Sequence, residues 1–434
     1  MTVEEIYGIL RGCTGVTTDS RKCAPGLMFF ALRGERFDGN DFVAGALEQG
    51  CPYAVMDNKD KYDPADSRMI LVPDVLKALQ QVAALHRHQM GTPVIGITGT
   101  NGKTTTKELT NAVMSSTFRV LCTQGNLNNS IGVPLTVLGL MPEHDYAIVE
   151  MGASHPGDIQ ELVEISQPDC GLITNVGKAH LLGFGSFEGV KRTKGELYDW
   201  LRAHGGFAFV NRDNEHLMQM SAGLPLLEYG KPGHDGLLVE GEVLECNPFV
   251  KFRWRSRGGE WHTVQTHLIG AYNVDNALAA ITVGMHFGVS EQDASDAVAG
   301  YVPQNNRSQL TETGRNHLVV DAYNANPTSM AAALENFSMI KADDKMLILG
   351  DMRELGEVSE AEHKHVVDEI KKFGFTQVWL VGEEFAKAAQ GSGFRLFPNV
   401  DAVNEALAGD PVNGKTILIK GSNSIGLTKT ITNL

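Results

Sequence analysis

The chain has 434 residues, too many for one ordinary hydrophobic core, and its 42% hydrophobic content is ample for several packed domains. A formal net charge of -15 argues against a general binder of nucleic acid or anionic membrane. An acidic protein that handles phosphates must gather positive charge locally, with metal ions as the expected help. Six cysteines (Cys13, Cys23, Cys51, Cys122, Cys170 and Cys246) form no CxxC and no His/Cys cluster of zinc spacing, so they read as scattered reduced thiols. The opening "MTVEEIYGIL" is acidic and lacks the basic and long apolar regions of a signal peptide. No apolar run approaches the roughly 20 residues of a membrane helix. The expectation is a soluble, cytoplasmic monomer with no nucleic-acid partner and no membrane insertion.

Along the chain, "LMFFAL" and "YAVM" read as strands, and "FVAGALEQG" as a helix ending at Gly50. "PDVLKALQQVAALHRHQM" has apolar residues at helical spacing and leads into a second domain. "PVIGITGT" is a buried strand flowing into a glycine loop, and "TTTKELTNAVMSS" is the helix after it. "YAIVEMG" and "CGLITNVG" are further apolar strands ending in polar residues or glycine. Strands alternating with helices imply a parallel sheet covered on both faces, with function gathered at the carboxyl ends of the strands. "KFRWRSRGGEWHTVQTHLIG" looks antiparallel, and "NVDNALAAITVGMHFG" is helical. Beyond about residue 308 the alternation restarts with "HLVVDAY", "KMLILGDM", "TQVWLVG" and "KTILIKG". The predicted fold is α/β with three domains: a small N-terminal α/β domain over 1–83, a central parallel-sheet domain over 84–308 whose glycine loop is of P-loop type, and a C-terminal Rossmann-like domain over 309–434.

"GITGTNGKTTT" carries the strongest chemical signal. The common phosphate loop places Gly-Lys-Ser/Thr after a first glycine and four intervening residues. Gly102, Lys103 and Thr104 fit its end, but Ile97 stands where the first glycine belongs, which argues against an ordinary GTPase or motor ATPase. The strand–loop–helix context still makes Gly99, Thr100, Asn101, Gly102, Lys103, Thr104 and Thr105 candidate phosphate contacts through loop amides and a helix N-terminus. Lys103 would neutralise phosphate oxygens, and Thr104 or Thr105 would hold magnesium. Glu150 ends one strand and His180 follows the next, both at the active edge, although a strand-end carboxylate can equally be a salt bridge. "VKRTKGELY" offers Lys191, Arg192 and Lys194, either a basic solvent face or a lysine aimed at the phosphates.

"CTQGNLNNSIGVPLT" supplies Thr123, Asn126, Asn128 and Asn129 as neutral donors and acceptors, with an ordinary polar turn as the equal alternative. Asn273 and Asn276 lie on one helix face, where an amide can read an adenine edge; Asn273 could instead be a helix cap. Arg307, near the second boundary, could clamp a phosphate on closure or make a boundary salt bridge. "VVDAYNANPTSM" clusters Asp321, Asn324 and Asn326 at a strand end, where Asp321 could accept from a ribose hydroxyl or a lysine.

Taken together, these stretches closely resemble the Mur ligase family, the ATP-dependent amide-forming enzymes of peptidoglycan synthesis, over nearly the whole chain. The resemblance implies the short loop "GTNGKTTT" with its lysine at Lys103, the magnesium-binding glutamate at Glu150 and the histidine at His180. It also implies the two helix asparagines at Asn273 and Asn276, the arginine at Arg307 and the C-terminal-domain aspartate at Asp321. Lys194 falls where many members carry a lysine carbamylated by carbon dioxide, a ligand of the second of two magnesium ions. "GNLNNSIGVP", "DAYNANPTSM" and "LGDMRELGE" look like the member that joins D-alanyl-D-alanine to UDP-N-acetylmuramoyl-tripeptide. "TTDSRKCAPGLMFFALRG" resembles its uridine-nucleotide motif, with Ser20 and Arg21. Asn423 in "KGSNSIGL" departs from an expected arginine. Two rivals are a related ligase that adds L-glutamate to folate, which should lack the N-terminal nucleotide domain, and a nucleotide switch without ligation, which would not need the cluster at Asp321.

Overall fold

The computed structural model describes residues 1–304 and 307–434. Three sheets organise them into three α/β domains. The first has four parallel strands in chain order, Gly15–Thr17, Leu27–Phe30, Ala54–Met56 and Met69–Leu71. The helix Val75–Met90 leaves it, opened by the Asp74 side chain on Lys77 N and closed by Gly91 at φ 67. Val75, Ala78, Leu79 and Val82 pack into the first core, while Ala83 belongs to the next. The boundary expected at 83/84 thus falls inside one continuous helix. Tyr7 Oη and His86 Nδ1 lie 3.0 Å apart, and His86 Nε2 reaches Leu140 O at 3.0 Å, which pins the N-terminal domain to the central one.

The central sheet has nine strands. Val94–Thr98 lies between Tyr146–Glu150 and Cys170–Ile173, all parallel. Every residue of Val94–Thr98 is buried, as a strand covered on both faces requires. The chain then crosses to the edge strand Val120–Cys122 before returning to Tyr146–Glu150. The crevice at the carboxyl ends of Val94–Thr98 and its neighbours is therefore a topological switch point. The expected antiparallel strands are present as Phe249–Ser256 and His262–Ile269, and Val239–Cys246, which the sequence reading did not mark, pairs antiparallel with the first of them. The helix Asn273–Phe287 packs on Lys103–Ser115, and Gly284 allows the approach: a Cβ there would sit 2.4 Å from Val113 Cγ1.

The C-terminal sheet has six strands. His317–Asp321, Thr416–Lys420, Lys345–Gly350, Gln377–Val381 and Arg395–Phe397 run parallel, with Gln309–Glu312 antiparallel at the edge. Separate apolar clusters, around Leu347 on one side and Ile348 on the other, cover its two faces. Among the described residues no helix is long and apolar enough to cross a membrane.

Candidate active site

A cavity of about 790 Å³ opens at the switch point and takes its walls from the central and C-terminal domains. Its floor is the glycine loop. Gly99 (φ 146) and Gly102 (φ 79) hold conformations that side chains resist, and each lacks room for a Cβ. A Cβ on Gly99 would meet Thr174 Oγ1 at 2.0 Å; one on Gly102 would meet Asn276 Oδ1 at 2.6 Å. Gly102 caps Lys103–Ser115 without any side-chain hydrogen bond, so the first-turn amides remain available to an anion. Thr100, Asn101, Gly102, Lys103 and Thr105 line the cavity.

Lys103 folds back on its own loop, donating to Gly99 O at 2.8 Å and Thr100 O at 3.0 Å. Burial pulls its ammonium down to about 8, with Glu150 opposing the shift and Arg307 adding to it. Thr104 points behind the wall, where its Oγ1 donates to Glu150 Oε1 at 3.1 Å. Asn128 Nδ2 donates to the same oxygen at 2.7 Å. Glu150 Oε2 is buried with no hydrogen-bond partner among the described residues. A buried carboxylate oxygen left unpaired is costly, and a cation is the partner that removes the cost. No group of three His, Cys, Asp or Glu side chains could hold a metal among the described residues. An ion at Glu150 would therefore need further oxygens from a ligand, as magnesium sites built with phosphates do.

Thr123 does not reach the cavity. It is fully buried and its Oγ1 accepts from Glu150 N at 3.0 Å, so it supports the strand end rather than facing a ligand. Asn129 lines the wall and caps Ile131 and Gly132 through Oδ1. Asn126 is exposed in the turn outside the cavity. Asn273 and Asn276 are buried against it and already engaged with each other. Asn276 Nδ2 donates to Asn273 Oδ1 (2.8 Å), Asn273 Nδ2 to Ile269 O (2.8 Å), and Thr106 Oγ1 to Asn276 Oδ1 (3.0 Å). This network presses Asn276 against Gly102 and fixes the loop; Tyr272, not Asn273, is the helix cap.

His180 lines the cavity at φ 50, and its Nδ1 meets the Glu354 carboxylate without hydrogen-bond geometry. Burial lowers its affinity for a proton, against the pull of Glu354. Lys191 pairs with Glu188 at 2.6 Å. Lys194 is buried outside the cavity wall, its Nζ 5.7 Å from the centre of the Phe184 ring. Burial first, then Lys103, holds its ammonium well below the ordinary lysine value.

From the C-terminal side, Arg307 stacks on Tyr323 at 3.8 Å, and its buried Nε has no hydrogen-bond partner among the described residues. Lys420 donates to Asp321 Oδ2 at 2.6 Å and to Asn324 O at 3.2 Å. Arg307, Asp321, Asn324 and Lys420 all line the cavity. Asn326 caps the helix Pro327–Met339 just behind it. Ser20 and Arg21 lie elsewhere, in a turn of the N-terminal domain, with Arg21 doubly bonded to Asp19 at 2.8 Å. Asn423 starts a short 3-10 turn and does not line the cavity. Sequence reasoning missed the clasp on the loop tip. Asn175 Oδ1 accepts from Asn101 N at 2.9 Å, while Asn175 Nδ2 (3.0 Å) and Thr174 Oγ1 (2.6 Å) donate to Asn101 O. The signal was present in "LITNVG", polar residues directly after an apolar strand.

A glycine loop at a helix N-terminus, a strand-end carboxylate oxygen unpaired among the described residues and an α/β domain that brings its own cations to the same cavity define the class. Family models match in three blocks: the Mur ligase family catalytic domain over residues 13–87, the Mur ligase middle domain over 97–284 and the Mur ligase glutamate ligase domain over 306–423. The chain belongs to the Mur ligase family. Among curated relatives, the UDP-N-acetylmuramoyl-tripeptide–D-alanyl-D-alanine ligase of Bacillus subtilis is 37% identical, covering 87% of this chain and 82% of its own. That of Escherichia coli is 34% identical over 99% and 97%. Among solved structures, MurF from Acinetobacter baumannii has a TM-score of 0.88 at 29% identity, covering 100% of this chain and 99% of that one. MurF ligase from Thermotoga maritima in complex with ADP has 0.85 at 25%, over 98% of each chain.

Proposed function

We infer that this chain is an ATP-dependent ligase that joins D-alanyl-D-alanine to UDP-N-acetylmuramoyl-tripeptide in the cytoplasm, as a step of peptidoglycan precursor synthesis. The carrying observation is one cavity that holds Lys103, the unpaired Oε2 of Glu150, Arg307 and the Asp321–Lys420 pair. The relatives named above, alike over nearly their full length, supply the substrates. A carboxylate and an amine do not condense at neutral pH. The tripeptide's terminal carboxylate displaces ADP from the γ-phosphate, which gives an acyl phosphate. The free amine of the dipeptide then attacks the acyl carbon, inorganic phosphate leaves, and the amine loses a proton. No protein nucleophile is needed, so catalysis rests on positioning and charge.

Lys103 and the loop amides bind the β- and γ-phosphates, and Lys103 leaves its two loop carbonyls to do so. Arg307, held flat by Tyr323, presents its guanidinium to the transferring group. Asn276 braces the loop from behind, and Asn128 and Thr104 aim Glu150. Glu150 and Thr104 would hold magnesium, with His180 and a carbamylated Lys194 serving a second ion. Bound there, the metal would supply neutralisation of phosphate charge. Burial weakens the hold of Lys194 on its proton, which favours the amine form that adds carbon dioxide with release of a proton. Ser20 and Arg21 of the N-terminal domain would take the uridine nucleotide.

The test is phosphate release by the purified protein with ATP, magnesium and UDP-N-acetylmuramoyl-tripeptide, with and without D-alanyl-D-alanine. Release that depends on both substrates, with a UDP-pentapeptide identified by mass, is expected. Release independent of either sinks the substrate assignment.

A further inference from the structure

The phosphate loop is tied to the C-terminal domain at its tip. Asn326 Nδ2 donates to Asn101 Oδ1 at 2.7 Å, between residues 225 positions apart. The orientation of the Asn326 amide is dictated locally. Its Oδ1 accepts from Ser329 N at 2.9 Å as the cap of the helix Pro327–Met339, so its NH₂ must point the other way. Asn101 is equally constrained. Its backbone is clasped by Asn175 and Thr174, which leaves the side chain with no local duty. A second contact runs beside the first. Thr100 Oγ1 accepts from Gly177 N at 3.0 Å, and a Cβ on Gly177 would sit 3.0 Å from Thr328 Oγ1. The loop that would grip the phosphates is thus the surface on which the first turn of the C-terminal helix sits. Asn326 is only 4% exposed, so the donor side of this bond is sheltered from competing water, while Asn101 is half-buried at the cavity.

We propose that the Asn101–Asn326 hydrogen bond is the contact by which the phosphate loop holds the C-terminal domain closed, which makes Asn326 a positioning residue for the amine-addition step. The inference rests on the ligase reading. Arg307, Asp321 and Lys420 belong to the cavity only while the C-terminal domain is docked. Once the acyl phosphate has formed, an opened domain admits water, which attacks the acyl carbon and returns carboxylate and phosphate without an amide. A broken latch therefore appears as phosphate released in excess of amide formed, a readout that a merely structural residue would not move.

Asn326→Ser keeps an oxygen to cap Ser329 N and removes the amide donor. Asn101→Ala removes the acceptor and leaves the backbone clasp in place. Each is expected to raise phosphate released per amide formed by about twofold or more, and to lower kcat/KM for the dipeptide about fivefold, as the loss of one net hydrogen bond would. The double variant should be no worse than either single one. An unchanged ratio in Asn326→Ser, or additive effects in the pair, overturns the proposal. Hydrogen exchange on the unliganded full chain gives an arm independent of the reaction. Asn101→Ala should speed exchange in the first turn of Pro327–Met339, in the other domain, and an unaltered rate there also overturns it. A wild-type protein that forms no amide sinks the ligase reading, and the exchange result then decides the latch alone.

Discussion

Glu150 offers a perturbation in which stability and activity should part company. Glu150→Gln keeps an oxygen for Thr104 Oγ1 and Asn128 Nδ2 and replaces the unpaired Oε2 with an NH₂ group. It exchanges one unsatisfied buried group for another and removes a buried charge, so the unfolding free energy should stay within about 1 kcal/mol of wild type or rise. Glu150→Ala differs, because it strands the buried Thr104 donor at about 1–3 kcal/mol and takes the acceptor from the half-buried Asn128 amide. A loss of about 2 kcal/mol or more lowers the midpoint by about 4–8 °C in a domain of 150–250 residues. Both variants lack the carboxylate that would hold a cation against the phosphates, so kcat should fall by about 10²–10³-fold or more in each. The assay is thermal unfolding beside UDP-pentapeptide formation over a magnesium titration. A Glu150→Gln protein that is stable and turns over near the wild-type rate would refute the assignment of Glu150 as the metal-facing carboxylate.

Gly102→Ala should impose about 1–2 kcal/mol of loop strain and displace Asn276, which weakens ATP binding about five- to thirtyfold at tenfold per 1.4 kcal/mol; isothermal titration with ATP checks it. His86 carries a proton-linked term. Burial lowers its folded-state affinity for a proton below that of the unfolded chain. Its stabilising contribution is therefore whole above about pH 6.5, shrinks as pH drops further, and is lost by the folded-state value. His86→Gln should reduce the fall in thermal midpoint between pH 7.5 and pH 5.5, and an identical fall in both proteins would count against the bridge from Tyr7 to Leu140. With ¹³C-labelled bicarbonate, the wild-type protein should give a carbamate carbon resonance that Lys194→Arg lacks. Full ligation in carbon-dioxide-free buffer, with no such resonance, would exclude the carbamylated form.

The residues legible in the sequence are those whose chemistry is local. Strand alternation and the Gly-Lys-Thr junction are short-range patterns, and they located the loop and the strand-end Glu150 without tertiary information. The three sheets followed for the same reason, since the strand and helix periods differ and turn residues separate them. What the pattern could not carry was which way each polar side chain faces. Thr123 and Asn128 sit in one amide-rich turn, yet Asn128 donates to the Glu150 carboxylate while Thr123 turns inward to its backbone N–H. Asn273 and Asn276 share a helix face as expected, but their hydrogen bonds go first to each other and to Ile269.

The deeper limit is that the site is assembled across sequence distance. Lys420 reaches Asp321 from 99 positions away, and Asn326 reaches Asn101 from 225. Each partner alone has a bland explanation as a strand-end charge or a helix cap. Their pairing is set by parallel register, in which Asp321 stands beside Lys420 on adjacent strands of the C-terminal sheet. That register places a cation and its carboxylate at the carboxyl edge of one sheet, facing the carboxyl edge of another. A ligase that must pass a reactive acyl phosphate from one step to the next needs such an arrangement. Charge from one domain would there meet phosphate held by the other, and the cavity takes its walls from both edges.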